Sequence, residues 1–340
     1  MTKRALTDIF RGLRDLGLTK GQVASLLPTW WTPEMAATEA GLWETAVLLG
    51  RRLGIDSPAL VAGEVRPIAD IEATRYKHTV RVTPLQLRAA TLMATSLARA
   101  VVASMPPKGE ALPQAASSIR DNILARPDAV ISFDTLVDYC WSHDVPVIPL
   151  PNVPRGVKKM DAAAIRVDGR PAIVIAIRNN SKAWLSFLVA HELGHLCLGH
   201  VSPNASIVEG SISDSADFDV GGETDQQELQ ANAFAHELMG GHEIDQIIER
   251  WARGLPAVSL ATSALADARP LRTAPGHLIL RHAFLTRQWP EARSALNFLS
   301  DDLDAQSTLV ERLSREIDTA QLADDLQDYV EQLTGVTPRP

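Results

Sequence analysis

Apolar residues recur at helical spacing through most of this chain and switch to short β-branched runs in one central region. Near the start, Ile9, Leu13 and Leu16 fall three or four residues apart. Val23, Leu26 and Leu27 form a second stripe after Gly17 and Thr19. Pro28 stops that helix, Thr32-Pro33 opens another stretch, and Leu42 to Leu53 is apolar with helical period. An Ala-rich run from Pro84 to Met105 carries Leu85, Leu92, Leu97 and Val101, with proline well placed at a first helical position. Ser117–Leu124 and Ser132–Trp141 predict two shorter helices. The period then changes. Val145–Leu150 is strand-like, with prolines that suit a sheet edge. Ala162–Val167 and Ala172–Ile177 flank Asp168-Gly169-Arg170-Pro171 and predict a hairpin. Asn179, Asn180 and Ser181 supply N-cap chemistry for a helix over Trp184–Leu198. Residues 201–222 are rich in Ser, Asp and Gly and read as a surface loop. Helical period resumes over Thr224–Met239 and continues to the end, as in Ile244-Ile247-Ile248-Trp251 and Leu299-Leu303-Val310-Leu313-Ile317.

These elements predict an α+β protein, mostly helical, with a small sheet or hairpin packed on one helix and helical regions on either side. The breaks divide the chain into a helical region 1–60, a helical linker 61–112, a central domain 113–242 and a helical C-terminal region 243–340. The length of 340 residues suits such a division. A net charge of −8 argues against a chain that coats nucleic acid along its whole length, while leaving room for a small basic face. No apolar run reaches the roughly 18 residues that span a bilayer, so no membrane role is expected. Two cysteines, Cys140 and Cys197, lie far apart and read as reduced, buried thiols of a cytoplasmic protein.

The candidate chemistry lies in His191-Glu192-Leu193-Gly194-His195. Four residues apart on a helix, the two imidazoles share a face and converge, and the carboxylate of Glu192 lies within reach of a water on a shared metal ion. A catalytic zinc site needs a third protein ligand. The metzincin spacing would place a histidine at position 201, which is Val201. Glu228 opens the next helix, with Asn232 one turn further on and placed to orient a ligand histidine. Glu223 and Glu237 are the alternatives for the third ligand. His200, five residues past His195, should point about 140° away and so reads as structural. Asp214, Asp217 and Asp219 lack the glycine and terminal glutamate of an EF-hand loop. His236, His242, His277, His282 and Tyr139 are all candidates to stabilise an oxyanion. The strand Ala172–Ile177 is a candidate to dock an extended substrate by strand addition.

Two resemblances extend this reading. The sequence His191-Glu-Leu-Gly-His195 followed by Glu228-x-x-Ala231-Asn232-x-Phe234-Ala235, after a hairpin, resembles the ImmA/IrrE metallopeptidases over about residues 130–240. That resemblance implies a gluzincin-type domain with Zn2+ held by His191, His195 and Glu228, with Glu192 as general base and Asn232 behind a ligand. It also implies a protein substrate of helix-turn-helix repressor or antitoxin type. Where the family usually carries a charged residue, this chain has Gln230. Residues 16–27 with 48–55 resemble the small helix-turn-helix domain of Xre/Cro-type repressors, which implies DNA as a partner for residues 1–60. At the place of a recognition helix stands Pro28-Thr29-Trp30-Trp31-Thr32-Pro33-Glu34, poor in groove-reading side chains; the other reading of 1–60 is a packing or protein-binding bundle.

Overall fold

A computed structural model describes residues 6–68, 74–77, 83–107, 109, 111–209 and 226–337. Helix α1 (Leu6–Arg14) buries Ile9 and Leu13, as their spacing predicts. Thr19 starts α2 (Lys20–Ser25) through a capping box with Gln22, which satisfies two backbone N–H groups reciprocally. No helix occupies residues 26–34; a 3-10 turn at Met35–Ala37 leads into α3 (Glu39–Leu53) and α4 (Ser57–Val61). Trp31 is turned inward there, its indole N–H donating to Thr45 Oγ1 at 2.9 Å.

Strand β1 (Arg75–Lys77) precedes the long α5 (Pro84–Ala103), α6 (Ala116–Leu124) and α7 (Phe133–Ser142). Then come β2 (Val147–Pro149), β3 (Ala162–Val167), β4 (Arg170–Ile175), α8 (Lys182–Cys197), β5 (Ser206–Glu209) and α9 (Gln226–Gly240). The strands form one sheet in the order β1-β5-β3-β4-β2. The β3–β4 hairpin turns at Asp168 and Gly169, both at positive φ (50° and 81°), the two-residue geometry that an Asp-Gly pair favours. The proline-bearing β2 lies at an edge. Strand β4 is paired on both sides, by β3 and β2, so it has no free edge for the strand addition considered from sequence. Strand β5 emerges from the segment read as a loop; it pairs antiparallel with β3, Ala164 opposite Ile207. The Asp214, Asp217 and Asp219 cluster lies outside the described residues.

Every β3 residue except Arg166 is buried, so both faces of the sheet are covered. Helices α5 and α8 both pack against β3 and β4. The same apolar core runs from Ile9 and Leu53 through the sheet to Leu309, Leu313 and Leu333 of α14 (Ala305–Glu316) and α15 (Asp324–Thr334). Arg52 fastens the two ends of the chain. It is fully buried, donates to Leu26 O at 2.5 Å and to Asp325 O at 2.8 Å, and lies 5.4 Å from the ring centre of Tyr329. A second, smaller core joins α10 (Ile244–Glu249), α11 (Ala257–Leu271), α12 (Pro275–Thr286) and α13 (Trp289–Leu296). Among the described residues no helix is long and apolar enough to cross a membrane.

Helix α8 is held at both ends. Ser181 caps it by accepting from Trp184 N. Asp302, between α13 and α14, accepts from Ala183 N and from Ser181 Oγ, both at 2.6 Å. Its carboxylate therefore sits at the positive end of the helix dipole. At the other end Arg166 of β3 donates to Leu196 O at 3.0 Å. Replacing Asp302 with Ala should lower unfolding stability by about 1–3 kcal/mol, read from the midpoint of urea denaturation.

The α12 imidazoles of His277 and His282 are buried, and burial lowers the pKa of both, His277 furthest. Folded protein excludes a proton that the unfolded chain takes up below the ordinary histidine pKa of about 6.5. Stability from this source is complete above that pH and falls as the pH drops towards the folded-state value. The melting temperature should decline between pH 7 and pH 5, and His277→Phe should flatten that slope.

Candidate metal centre

Helices α8 and α9 meet closely because Gly194 offers bare backbone against the Phe234 ring at the crossing. A Cβ placed on Gly194 would lie 3.1–3.2 Å from Phe234 side-chain carbons, and Ala231 is fully buried alongside. That approach sets three donors from two helices into one triangle. His191 Nε2 and His195 Nε2 are 3.1 Å apart. Glu228 places Oε2 3.4 Å from His191 Nε2 and Oε1 3.3 Å from His195 Nε2. Among the described residues these three form the one His/Cys/Asp/Glu group close enough to hold a metal ion. Ligands 2.0–2.1 Å from a tetrahedral ion stand about 3.3 Å from one another, which is the size of this triangle.

The charges also suit a cation. Burial drives the pKa of His195 down to about 4, with smaller contributions from the like charges of His191 and His200 against the pull of Glu228. Burial by itself would raise the pKa of Glu228, but its place against the two imidazoles holds it well below the ordinary carboxylate range. A neutral imidazole beside an ionised carboxylate offers a divalent ion lone pairs and one negative charge. Glu192, fully buried on α8, follows the first ligand directly.

Each ligand imidazole is oriented from behind. His191 Nδ1 is 3.0 Å from Asn232 Oδ1; an amide oxygen only accepts, so Nδ1 carries the proton and Nε2 is left as a lone pair facing the triangle. Behind His195 stands a longer relay, with Nδ1 2.9 Å from His200 Nδ1 and His200 Nε2 3.0 Å from Gln230 Oε1. The Gln230 oxygen sets His200 Nε2 as donor, which makes His200 Nδ1 the acceptor and His195 Nδ1 the donor. Both ligand histidines therefore present Nε2 as a lone pair.

The structure thus brings together His191, His195, Glu228 and Asn232, as the sequence suggests, and adds His200 and Gln230. The helical extrapolation that turned His200 away fails because α8 ends at Cys197. Gly199, at φ 72°, reverses the chain, and His200 N donates to His195 O at 3.0 Å. The signal available in sequence was the glycine just before His200. Glu237 lies elsewhere, 3.6 Å from the exposed His242, and Glu223 is outside the described residues. Of the oxyanion candidates, Tyr139 stacks on His143, His277 and His282 are buried in α12, and His236 lies beside Phe187, one turn before His191. Burial pushes both thiols up, Cys197 to about 12, which favours the protonated form of each.

Asn232→Ala and His200→Phe should each weaken metal binding by about 10–100-fold, measured by competition with a chromophoric chelator, with the secondary structure unchanged. Gln230→Ala should show a smaller loss in the same titration.

Comparison with known proteins agrees with this geometry. No curated protein matches the chain. Residues 140–249, which run from the end of α7 to the end of α10 and include both ligand helices, match the family model described as the IrrE N-terminal-like domain (Peptidase_M78), a metallopeptidase-type match for the segment that carries the metal centre.

Proposed function

We propose that the chain is a zinc-dependent endopeptidase that cleaves a regulatory protein of repressor or antitoxin type. The observation that carries the reading is the His191–His195–Glu228 triangle, with the buried Glu192 directly after its first ligand on α8. Two neutral imidazoles and one carboxylate are the donor set of hydrolytic zinc centres, and three protein ligands leave a position for water or substrate. When bound, such an ion polarises a scissile carbonyl and lowers the pKa of water from near 16 to about 7.

The protein's own groups supply the remaining steps. Glu192 accepts a proton from the attacking water on a carboxylate oxygen and delivers it to the leaving amide nitrogen. Its burial shields that carboxylate from bulk water, which strengthens its interaction with the developing charge. Asn232 and the His200–Gln230 relay keep the ligand imidazoles in one tautomer through the cycle. The resemblance of both ligand blocks to the ImmA/IrrE peptidases, and the family match over 140–249, support hydrolysis of a protein and suggest the regulator class of substrate.

Glu192→Gln should keep stoichiometric zinc yet cleave at least about 100-fold more slowly than the parent protein. Cleavage is scored by mass spectrometry on a proteome-derived peptide library and on the products of the neighbouring open reading frames. Undiminished cleavage by the variant would sink the general-base assignment, and zinc-loaded parent protein that cuts nothing in either pool would sink the peptidase reading.

A further inference from the structure

Cleavage of a protein acts on an extended segment, whose backbone N–H and C=O groups need partners near the centre. The edge of a sheet supplies them. Of the two ends of this sheet, β2 is packed by α7 and α14. Towards the other end, β5 begins at Ser206, shortly after the relay residue His200. The seam between β3 and β5 meets the end of the ligand helix. Arg166 of β3 donates its backbone N–H to Ala205 O and its guanidinium to Leu196 O, both at 3.0 Å, and Leu196 directly follows the ligand His195. One side of β5 pairs antiparallel with β3, and Ile207 and Val208 are buried in the core.

The other side of β5 is taken by the chain itself. Strand β1 runs parallel to it, with Arg75 opposite Ile207, Tyr76 opposite Val208 and Lys77 opposite Glu209. Thr74 Oγ1 lies 3.1 Å from Ser206 Oγ. The matched segment 140–249 supplies β5, whereas β1 comes from well before it. The attachment is slight. Strand β1 has three residues, the short end of strand lengths, and parallel pairs are held less firmly per residue than antiparallel ones. Among the described elements β5 is its main neighbour. Arg75-Tyr76-Lys77 is short and cationic, the make-up of strands that end a sheet and discourage further pairing. A pairing of this size opens locally at far lower free energy than the buried core beneath it.

We propose that β5 is the docking edge for an extended segment of the substrate protein, and that β1 occupies this edge as an inhibitory strand in the resting chain. Substrate enters by exchange, its backbone replacing that of residues 75–77 on β5. The assignment rests on the peptidase reading above. It couples the N-terminal part of the chain, outside the matched segment, to access at the centre.

The test uses the zinc-loaded full-length protein and two variants, Arg75→Pro and Tyr76→Pro. Successive N–H groups of a strand point to opposite sides, so one substitution removes a donor to β5 and the other a donor facing away. Hydrogen exchange of the fragment 202–209, read by mass spectrometry, should quicken at least about fivefold in the first case and keep the parent rate in the second. A fluorescent peptide with the sequence of residues 72–79 should bind the opened variant at least about tenfold tighter than the parent protein, measured by anisotropy. Cleavage of the proteome-derived peptide library should rise severalfold in the same variant, and the added peptide should suppress that rise. Equal exchange in the two variants, fast or slow, or faster exchange with no gain in peptide binding, would overturn the docking edge. Peptide binding with cleavage held at the parent level would overturn the inhibitory role. Zinc-loaded protein that cuts nothing in any form, while exchange and peptide binding behave as expected, would overturn the peptidase reading and the substrate role of the edge with it.

Discussion

The close crossing of α8 and α9 is the contact on which the centre depends. Two ligands come from one helix and the third from the other, so the triangle exists only while the helix axes stay near each other. Gly194 permits this, because Phe234 lies against the bare backbone where a side chain would stand. The crossing is further held by the fixing of α8 at its two ends, by Asp302 at the start and Arg166 at the finish. A site assembled from two packed helices is positioned more sharply than one carried on loops, since each ligand inherits the rigidity of its element.

Helix α9 does more than provide a ligand. Glu228, Gln230 and Asn232 occupy a single turn, and each meets a different histidine or histidine pair. Glu228 faces the triangle, Asn232 fixes the tautomer of His191, and Gln230 fixes that of His195 through His200. One turn of helix thus sets the charge of the centre and the protonation pattern of both its imidazoles. An uncharged amide suits the far end of the relay. It accepts from His200 without adding a second negative charge near Glu228.

Much of this was legible in the sequence, because the signals are local. The four-residue histidine spacing, the Asp-Gly hairpin turn, the Ser181 cap and the Glu228–Asn232 spacing each depend on backbone within a few residues. What escaped depends on the chain returning to itself. Strand β5 is four residues long within a polar stretch, and only its pairing with β3 on one side and β1 on the other makes it a strand. His200 was misplaced because a left-handed glycine breaks the helical count one residue before it. The packing of α12 against α8 has no motif, since it depends on which side chains of a distant segment face the ligand helix.

Arg52 and Asp325 are separated by 273 residues, yet the buried guanidinium of one is satisfied by the backbone carbonyl of the other. Until α15 has been made, that charge lacks one of its two carbonyl partners and part of the core under α5 lies open. The metal ligands are complete by residue 228, but the scaffold around them closes only with the last helix. Synthesis from the N-terminus therefore delivers the ligands well before α15, and completion of the core waits for a helix far downstream of them.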